Sequence, residues 1–308
     1  DKDGNQLWSV TYNGTASSMD SGGDVVLDTI GNVFVVGASM NSGTLVDFVV
    51  LKYDSLGNQV WVNQYDYLGF NDAANKVILS GDSILVSGVS QSAANNWDFT
   101  TISMSTIDGN IGNEIRSGGS GNGIDKLNAI TYDYSGHIYI TGAVLNANNN
   151  YDARTIKLNP NLTIAWSKDY NGIDSLDDES NDVKVDSIGN VYVAGSFHHD
   201  MHLGNITLTP DSGFANSYFI KYDTNGNLLW AKTLGENANI SVHALVSNNH
   251  DGIYLTGIFG TDSVNFNGIS IFNTDTNTLY NWDIFALKCD TAGNAVWAKA
   301  AGGKTGGD

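Results

Sequence analysis

Short apolar and alternating runs, separated by turns rich in Asp, Asn and Gly, extend along the whole chain. The runs have a period of two residues or are wholly apolar, and none keeps the 3.6-residue period of a helix. Residues 24–37 (DVVLDTIGNVFVVG) and 182–195 (DVKVDSIGNVYVAG) each contain two such runs joined by an Asp-x-x-Gly turn. This pattern predicts an all-β chain built from antiparallel hairpins.

The hairpins belong to a longer repeat that occurs five times. Each copy continues with a third run, such as DFVVLKYD from Asp47, and a fourth run that carries a Trp in four of the copies. Four antiparallel strands in each unit of about 50 to 65 residues are typical of a β-propeller blade, whereas a parallel β-helix uses a shorter repeat. The predicted blades are about 20–71, 72–123, 124–176, 177–238 and 239–301.

Both ends of the chain fall inside the repeat. Residues 1–12 (DKDGNQLWSVTY) match the outer strand of a blade, and residues 302–308 stop where a sixth inner strand would begin. We therefore expect 1–308 to form a single partial β-propeller, five complete blades plus one extra outer strand, excerpted from a larger propeller. A five-bladed ring with one additional strand is the alternative.

Three motifs carry a resemblance to a known family. They are Asp-x-x-Gly-Asn-Val-Tyr/Phe-Val-x-Gly, Asp-Phe-x-x-x-Lys-Tyr-Asp and Gly-Asn-x-x-Trp-Ala-Lys, and they cover nearly the whole chain. The chain resembles the bacterial seven-bladed β-propeller repeat (SBBP) family, as found in large secreted proteins of Bacteroidetes that often end in a type IX secretion sorting domain. The resemblance implies a propeller fold and an extracellular or outer-surface location, and it implies no single activity.

Composition narrows the classes of partner. The chain has 33 acidic and 14 basic side chains, a formal net charge of −19, together with 37 Asn and 35 Gly. Such a surface disfavours nucleic acid and anionic lipid, since both require a basic face. No apolar run approaches the length of a membrane-spanning helix, so we expect no membrane insertion. The single Cys289 excludes a disulfide framework.

A recurring carboxylate precedes the innermost strand of each of the first four blades. These residues are Asp20, Asp72, Asp125 and Asp178. They could form a ring at one mouth of a central channel, able to bind a ligand or Ca²⁺. A residue repeated in every blade more often caps its own loop, so a structural role is favoured and no cofactor is expected apart from this possible Ca²⁺.

Aromatic residues outside the repeated Trp register are the better candidates for ligand contact. Trp97 and Trp282 come immediately before the third strands of their copies. Two insertions, 197–217 and 259–282, lengthen the fourth and fifth copies between the second and third strands, and added loops on a rigid scaffold often carry binding sites. The second insertion could equally be a hairpin that shields a blade edge.

The first insertion contains a possible metal motif. His198, Asp200 and His202 would share one face if this segment were extended, and that spacing suits Zn²⁺ or Ni²⁺. A solvent-facing polar hairpin explains the same residues and is favoured.

Asp-Ser/Thr followed by an aliphatic residue recurs along the chain and resembles the O-glycosylation sequon of Bacteroidetes. It predicts a glycoprotein, although the same letters also form good turns. The acceptor residues are Thr29, Ser55, Ser83, Ser175, Ser187, Ser263 and Thr291.

Catalytic motifs of common enzyme classes are absent from the sequence. We therefore expect a non-enzymatic module of a secreted or cell-surface bacterial protein, an adhesin, a carbohydrate- or protein-binding unit, or a spacer. Its partners would be the remainder of a longer polypeptide and a carbohydrate or surface protein. The alternative is a propeller enzyme that acts on polysaccharide through carboxylates at the channel mouth.

Overall fold

The computed structural model describes residues 2–16, 18–43, 45–170, 176–210, 216–235, 238–248, 252–274 and 282–303. Within these ranges every regular element is a β-strand, and no helix is long and apolar enough to cross a membrane. Five four-stranded antiparallel sheets follow one another along the chain. The prediction of an all-β chain of four-stranded antiparallel units, consistent with propeller blades, is confirmed.

Each sheet takes its strands in chain order, with an extra two-stranded hairpin inserted in the fourth and fifth copies. The five sheets contain, in order, β1 (Asp20–Leu27), β2 (Val33–Met40), β3 (Val46–Tyr53) and β4 (Gln59–Tyr65); β5 (Asp72–Ser80), β6 (Ser83–Ala93), β7 (Asn96–Ser105) and β8 (Ile111–Ser117); β9 (Lys126–Tyr132), β10 (Ile138–Leu145), β11 (Tyr151–Leu158) and β12 (Ile164–Tyr170); β13 (Glu179–Val185), β14 (Val191–Phe197), β17 (Asn216–Tyr222) and β18 (Leu228–Leu234); β19 (Ile240–Ser247), β20 (Ile253–Phe259), β23 (Asp283–Cys289) and β24 (Ala295–Ala301). The hairpins are β15 (Met201–Leu203) with β16 (Ile206–Leu208), and β21 (Ser263–Phe266) with β22 (Ile269–Phe272).

The chain divides into two compact units. The first comprises Asp1–Ile130 with Asn161–Thr163, and the second comprises Thr131–Pro160 with Ile164–Asp308. The first unit therefore contains the first two sheets, and the second unit contains the fourth and fifth sheets with both hairpins. The core of the second unit includes Phe219 of the fourth sheet and Phe259 and Phe285 of the fifth.

In the first, second, fourth and fifth sheets, the glycine near the end of the second strand's motif lies opposite a β-bulge. In the fourth sheet the register between β13 and β14 shifts between Ser180 and Asp182. A Cβ on Gly195 would overlap the carbonyl oxygen of Glu179, because the bulge brings the two backbones together. The residue after the bulge, Asp182, accepts a hydrogen bond from the backbone N–H of Leu245 in the fifth sheet at 2.7 Å. The bulge therefore aims a carboxylate at the neighbouring sheet.

The Asp-x-x-Gly turns are closed by their own carboxylates. Asp54 Oδ1 accepts hydrogen bonds from the backbone N–H groups of Leu56 and Asn58 at 2.9 Å each, and Asn58 Nδ2 donates to Asp54 Oδ2 at 2.8 Å. These bonds, that of the Asn58 side chain first, lower the pKa of Asp54. The same pattern occurs at Asp28, Asp186, Asp223 and Asp290. The Asp and Asn side chains of each turn thus satisfy the backbone N–H groups of that same turn and stabilise it.

One contact between neighbouring sheets occurs in both the third and the fourth copies, and it accounts for the Trp and Lys of these two copies. Trp230 Nε1 and Lys221 Nζ of the fourth sheet both donate to the carbonyl oxygen of Thr291 in the turn of the fifth sheet, at 3.3 and 3.2 Å. The indole also covers Gly293 of that turn. Trp166 and Lys157 make the same bonds to Thr224. We call this contact the turn lock.

The segment predicted as an extra outer strand differs from that prediction. No strand forms over residues 2–14, because within the described residues no neighbouring strand supplies backbone partners for it. Trp8 nevertheless takes the place of a lock tryptophan. Its Nε1 donates to the carbonyl oxygen of Ser55 at 3.2 Å, and its ring lies against Gly57. Trp8 therefore makes the same contact as the tryptophans of the repeat, although its segment does not form a strand.

Candidate binding groove

The two inserted hairpins lie beside the outermost strands of the second unit. Alternate residues of β21 and β22 point inward, so that Val264, Phe266 and Ile271 are buried in the core that they share with the fifth sheet. The β15–β16 hairpin buries Met201, Leu203 and Leu208 in the same way. In the part that the structure describes, each insertion therefore contributes a β-hairpin that shields apolar surface at the outer side of a sheet.

A groove remains between the two hairpins. It has a volume of about 360 Å³ and is bounded by β16, by β18, by the β21–β22 turn and by the last two strands of the fifth sheet. We call it the outer groove. It is larger than three other grooves on this chain, whose volumes are about 220, 250 and 240 Å³, and both insertions, which the first three repeats lack, contribute to its walls.

The outer groove is larger than its counterpart in the fourth sheet, and the fifth copy has smaller side chains at the bulge that lines it. At the bulge between the third and fourth strands, the fourth sheet pairs Tyr222 with Leu228, whereas the fifth sheet pairs Cys289 with Ala295. The equivalent groove of the fourth sheet, lined by Tyr222 and Leu228, has a volume of about 250 Å³. Smaller side chains at fixed backbone positions leave a larger cavity.

The lining combines an apolar floor with neutral polar groups and one cationic side chain, that of Lys232. Leu208, Leu234 and Leu287 form part of the floor, and Thr207 and Asn267 belong to the walls. No carboxylate and no imidazole is among the described lining residues. Sites of this composition orient a ligand through a few hydrogen bonds while apolar contact supplies affinity.

Two ionisable side chains line the groove. Lys232 Nζ donates to Asn294 Oδ1 at 2.7 Å and lies 5.7 Å from the centre of the Trp230 ring. Burial raises the pKa of the Cys289 thiol to about 12, although the Lys232 charge opposes the shift. The thiol is therefore neutral and a poor nucleophile.

The predicted metal trio is not brought together. His198, at the end of β14, directs Nδ1 to the carbonyl oxygen of Asp177, while His202 in β15 directs Nδ1 to Thr207 Oγ1 at 3.0 Å. Residues 198–200 are not extended as strand, so the two-residue period assumed for the trio does not hold there. Among the described residues, the group of three possible metal ligands that the structure assembles lies elsewhere and contains none of the trio.

The recurring carboxylates bind their own loops. Asp20 accepts hydrogen bonds from Gly14 N at 3.1 Å and from Ser39 Oγ at 2.6 Å. Asp125 accepts one from Gly119 N at 3.0 Å, and Asp178 accepts one from His198 N at 3.2 Å. Asp72, which is fully buried, accepts from Tyr67 N at 2.8 Å and from the Ser90 hydroxyl. These contacts are of the loop-capping kind.

Asp72 also belongs to a group of three carboxylates. One oxygen each of Asp47, Asp66 and Asp72 lies within 4.8 Å of the others, and Asp66 is the exposed member. Burial, with a smaller contribution from Asp66, raises the pKa of Asp72 to about 6 against the hydrogen bonds that lower it. Sequence reasoning singled out Asp72 but missed Asp66, because the two meet only through the fold of the 66–71 loop.

The candidate tryptophans are half-buried. Trp97 lies inside β7 rather than before it, and its backbone exchanges hydrogen bonds with the segment around Gly123 and Asp125. Trp282 immediately precedes β23 and packs against Gly260. Neither residue lines the outer groove.

The glycosylation candidates differ in accessibility. Thr29, Ser55, Ser187, Ser263 and Thr291 are exposed, whereas Ser83 is half-buried at the start of β6. Ser175 lies outside the described residues. Thr29, Ser55, Ser187 and Thr291 share one position, the residue after the Asp of a turn.

The groove residues themselves were not predicted as a site. The sequence signal that could have found them is the replacement of Tyr53 and Tyr222 by Cys289 at one repeat position. This difference indicates a groove only when the neighbours of that position are known. The two hairpins that face it come from different copies of the repeat.

Comparison with known proteins gives likeness of fold alone. No family model matches the chain, and no curated protein matches it. Among solved structures, it resembles the quinohemoprotein alcohol dehydrogenase of Comamonas testosteroni, with 11% identity over 89% of this chain and 52% of that chain and a TM-score of 0.52. A eukaryotic initiation factor (12% identity, 91% and 55% coverage, TM-score 0.43) and a DUF4221 member from Bacteroides vulgatus (9%, 77% and 86%, 0.39) are more distant. The chain spans about half the length of the first two.

Proposed function

We propose that the chain is a non-enzymatic binding module, in which the five sheets are blades of a β-propeller and the outer groove binds a neutral oligosaccharide. The observation that carries this proposal is the convergence of both insertions on one cavity that the fifth copy has widened by Cys289 and Ala295. Insertions that merely shielded the outer strands would not require these small residues.

The lining supports a neutral, hydroxyl-rich ligand. Asn267 on one hairpin and Thr207 on the other provide an amide and a hydroxyl group, which both donate and accept hydrogen bonds. The apolar floor suits the C–H faces of a sugar ring. A polyanionic ligand is disfavoured by the net charge of −19.

The setting of the module follows from the repeat and the composition. We assign it to a secreted or surface-exposed bacterial protein of the seven-bladed propeller repeat type, in which the propeller displays the groove for adhesion or serves as a spacer. The acidic, Asn-rich surface favours solubility outside the cell. Membership of that family rests on the repeated motifs.

The test restores the side chains of the fourth copy. The double variant Cys289→Tyr with Ala295→Leu reproduces the Tyr222–Leu228 pair in the fifth sheet and fills the groove. Calorimetric titration with soluble neutral glycans, such as fragments of mannan, xylan and dextran, should show binding to the wild type and at least tenfold weaker binding to this variant. Ala292→Leu, on the exposed turn beside the groove, is the matched control and should bind like the wild type.

Failure of every neutral glycan to bind would overturn the carbohydrate assignment. Equal binding by the filled variant, with an unchanged circular dichroism spectrum, would show that the ligand binds outside the groove.

A second candidate, polysaccharide hydrolysis, is favoured by one observation. The pKa of about 6 for Asp72 suits a general acid, and one oxygen of the exposed Asp66 lies within 4.8 Å of one of its oxygens, so that a second carboxylate is at hand, as glycosidases require. Against it, Asp72 is fully buried, and its two oxygens accept hydrogen bonds from Tyr67 N in the preceding loop and from the Ser90 hydroxyl on β6. Release of reducing ends from the same glycans, abolished in Asp66→Asn, would establish hydrolysis.

A further inference from the structure

Two tyrosines meet at the junction of the third and fourth sheets, within the second unit. Tyr170 is the last residue of β12, and Tyr222 is the last residue of β17. Their hydroxyl groups are hydrogen-bonded to each other, and their rings lie with centres 6.3 Å apart and planes only 9° from parallel. Both side chains are buried. We call these two residues the tyrosine pair.

The tyrosine pair is a departure from the repeat. At the junction of the fourth and fifth sheets, the equivalent positions in the paired strands are occupied by Leu234 and Cys289. Two hydroxyl groups therefore meet at one junction, where the next junction has an aliphatic side chain and a thiol. Packing between the sheets is satisfied without these hydroxyl groups, so their meeting calls for an explanation in their own chemistry.

An oxidant can act on the tyrosine pair from solvent in two ways. Both tyrosines line the groove of about 250 Å³ beside the fourth sheet, so a small molecule in that groove meets their rings. The half-buried Trp166 also lies against Tyr222, with ring centres 6.1 Å apart. Aromatic rings at this separation exchange an electron readily, so an oxidant at the surface can act through the indole.

The hydrogen bond within the pair selects these two rings for reaction with each other. The ortho carbons of a phenol are adjacent to the carbon that carries the hydroxyl group, so two hydroxyls that bond to each other bring an ortho carbon of each ring close together. Tyr218 also lies near Tyr170, with ring centres 6.4 Å apart, but its plane is turned by 64° and its hydroxyl bonds to Ser180. Burial raises the pKa of both members of the pair, so both stay protonated and the bond persists at neutral pH.

We propose that the tyrosine pair is a site of oxidative cross-linking, at which a peroxide-derived one-electron oxidant joins Tyr170 and Tyr222 as dityrosine. Each hydroxyl group loses one electron and one proton, and the two radicals form a carbon–carbon bond between their ortho carbons. The hydrogens on these carbons then move to the oxygens and restore both phenols. The net loss is two electrons and two protons, which convert one molecule of hydrogen peroxide to two molecules of water.

The cross-link would be a covalent staple between the third and fourth sheets. The chain has a single cysteine, so a disulfide within the chain cannot serve this purpose. The two tyrosines are 52 positions apart, and a bond between them would restrict the unfolded chain in the way that a disulfide does. The staple does not depend on the ligand of the outer groove, because the groove is lined by other residues.

The test oxidises the full chain in dilute solution with tris(bipyridine)ruthenium(III), which light generates from the ruthenium(II) complex and persulfate. The monomer is isolated before digestion, so that links between molecules are set aside. Mass spectrometry should find a peptide that joins Tyr170 to Tyr222 with the loss of two hydrogen atoms, at least tenfold more abundant than any cross-linked peptide that contains Tyr218. The midpoint of thermal unfolding of the cross-linked monomer should rise by about 4 °C or more.

Matched variants separate this cross-link from general oxidation. Tyr222→Phe should abolish the cross-linked peptide, because phenylalanine has no hydroxyl group to oxidise. Tyr218→Phe removes another buried hydroxyl group beside Tyr170 and should retain the peptide. Circular dichroism before oxidation establishes that each variant is folded. Oxidation of the exposed Tyr134 without a link between Tyr170 and Tyr222 in the wild type would overturn the proposal, as would a link at Tyr170 that persists in Tyr222→Phe.

Discussion

Lys221 of β17 donates a hydrogen bond from Nζ to the carbonyl oxygen of Thr291, 3.2 Å away in the turn of the neighbouring sheet. The same ammonium group lies over the ring of Tyr192, and the residue is only 8% exposed. Burial lowers the pKa of Lys221, and the charge of Asp186 partly opposes the shift. A single lysine thus bonds to the neighbouring sheet through one carbonyl oxygen, while its charge lies over an aromatic ring of its own sheet.

Replacing this lysine should weaken the junction. Lys221→Met keeps the aliphatic stem but removes the hydrogen bond and the cation–π contact, so the free energy of unfolding should fall by about 1 to 3 kcal/mol. Urea denaturation followed by circular dichroism measures the change. Lys299→Met, on the exposed side of β24, is the control and should stay within about 0.5 kcal/mol of the wild type. Equal effects of the two variants would show that the turn lock contributes nothing.

The turn glycine on the other side of the lock should be equally sensitive. Gly293 has φ of 74°, and a Cβ there would lie 2.8 Å from Cη2 of Trp230. Gly293→Ala should therefore lower the free energy of unfolding in two ways. The left-handed backbone costs about 1 to 2 kcal/mol, and the clash with the indole adds to this.

Gly268→Ala separates the two contributions. Gly268 has φ of 96° and open space around a built Cβ, so this variant measures the backbone cost alone. Differential calorimetry should show a larger loss of stability for Gly293→Ala by about 1 kcal/mol or more. The same loss in both variants would mean that Trp230 moves aside without cost.

The sequence predicts the sheets well because their determinants are local. Alternation, the Asp-x-x-Gly turns and the closing glycine each depend on neighbours within one hairpin, as the bulge opposite Gly195 illustrates. The repeat also identifies the two insertions. Why Trp230 and Lys221 recur could not be read from one copy, since their shared acceptor, Thr291, belongs to the next.

The sites were less predictable for the same reason. The metal trio assumed that residues 198–202 were extended, but β14 ends at Phe197 and His198 turns towards Asp177. The outer groove depends on two hairpins and one pair of small side chains, separated by more than 80 positions along the chain. A cavity of this kind forms where small side chains leave space between elements that are distant in the sequence. The sequence alone does not show which of these elements face each other.

The raised pKa of Asp72 predicts how stability depends on pH. The folded-state pKa, about 6, lies above the ordinary value of 3.8. A carboxyl group of this kind destabilises the folded state when it is ionised, so its unfavourable contribution is complete above about pH 6 and disappears as the pH falls towards 4. The shift of about two units corresponds to at most about 3 kcal/mol.

Comparison with Asp72→Asn isolates this contribution, because Asn does not titrate. As the pH falls from 7 to 4.5, the unfolding free energy of the wild type should rise relative to that of the variant. Asp66→Asn should move the midpoint of this change to lower pH, since the Asp66 charge contributes to the shift. A difference that is independent of pH would show that Asp72 titrates normally.

The buried thiol of Cys289 should react slowly. Its pKa of about 12 against an ordinary 9.0 reduces the thiolate at pH 8 about a thousandfold, and the side chain is only 1% exposed. Iodoacetamide labelling followed by mass spectrometry should therefore be at least about a thousandfold slower in the folded protein than in 8 M urea. Labelling at comparable rates would indicate that the floor of the outer groove opens frequently.

The turn positions should differ in their capacity to carry a glycan. Thr29, Ser55, Ser187 and Thr291 present exposed hydroxyl-bearing residues on tight turns, whereas Ser83 is paired with Ser80 at the start of β6 and precedes the fully buried Ile84. A modifying enzyme must reach the hydroxyl and the residue that follows it, so accessibility selects among identical sequons. Peptide mapping of the protein from its own source should find hexose-sized additions on the four turn residues and none on Ser83. Thr29→Ala and Ser55→Ala should each remove one addition from the intact mass, and Ser83→Ala should leave it unchanged. An unmodified peptide at all four turns would show that Asp-Ser/Thr-aliphatic serves here only to build the turn.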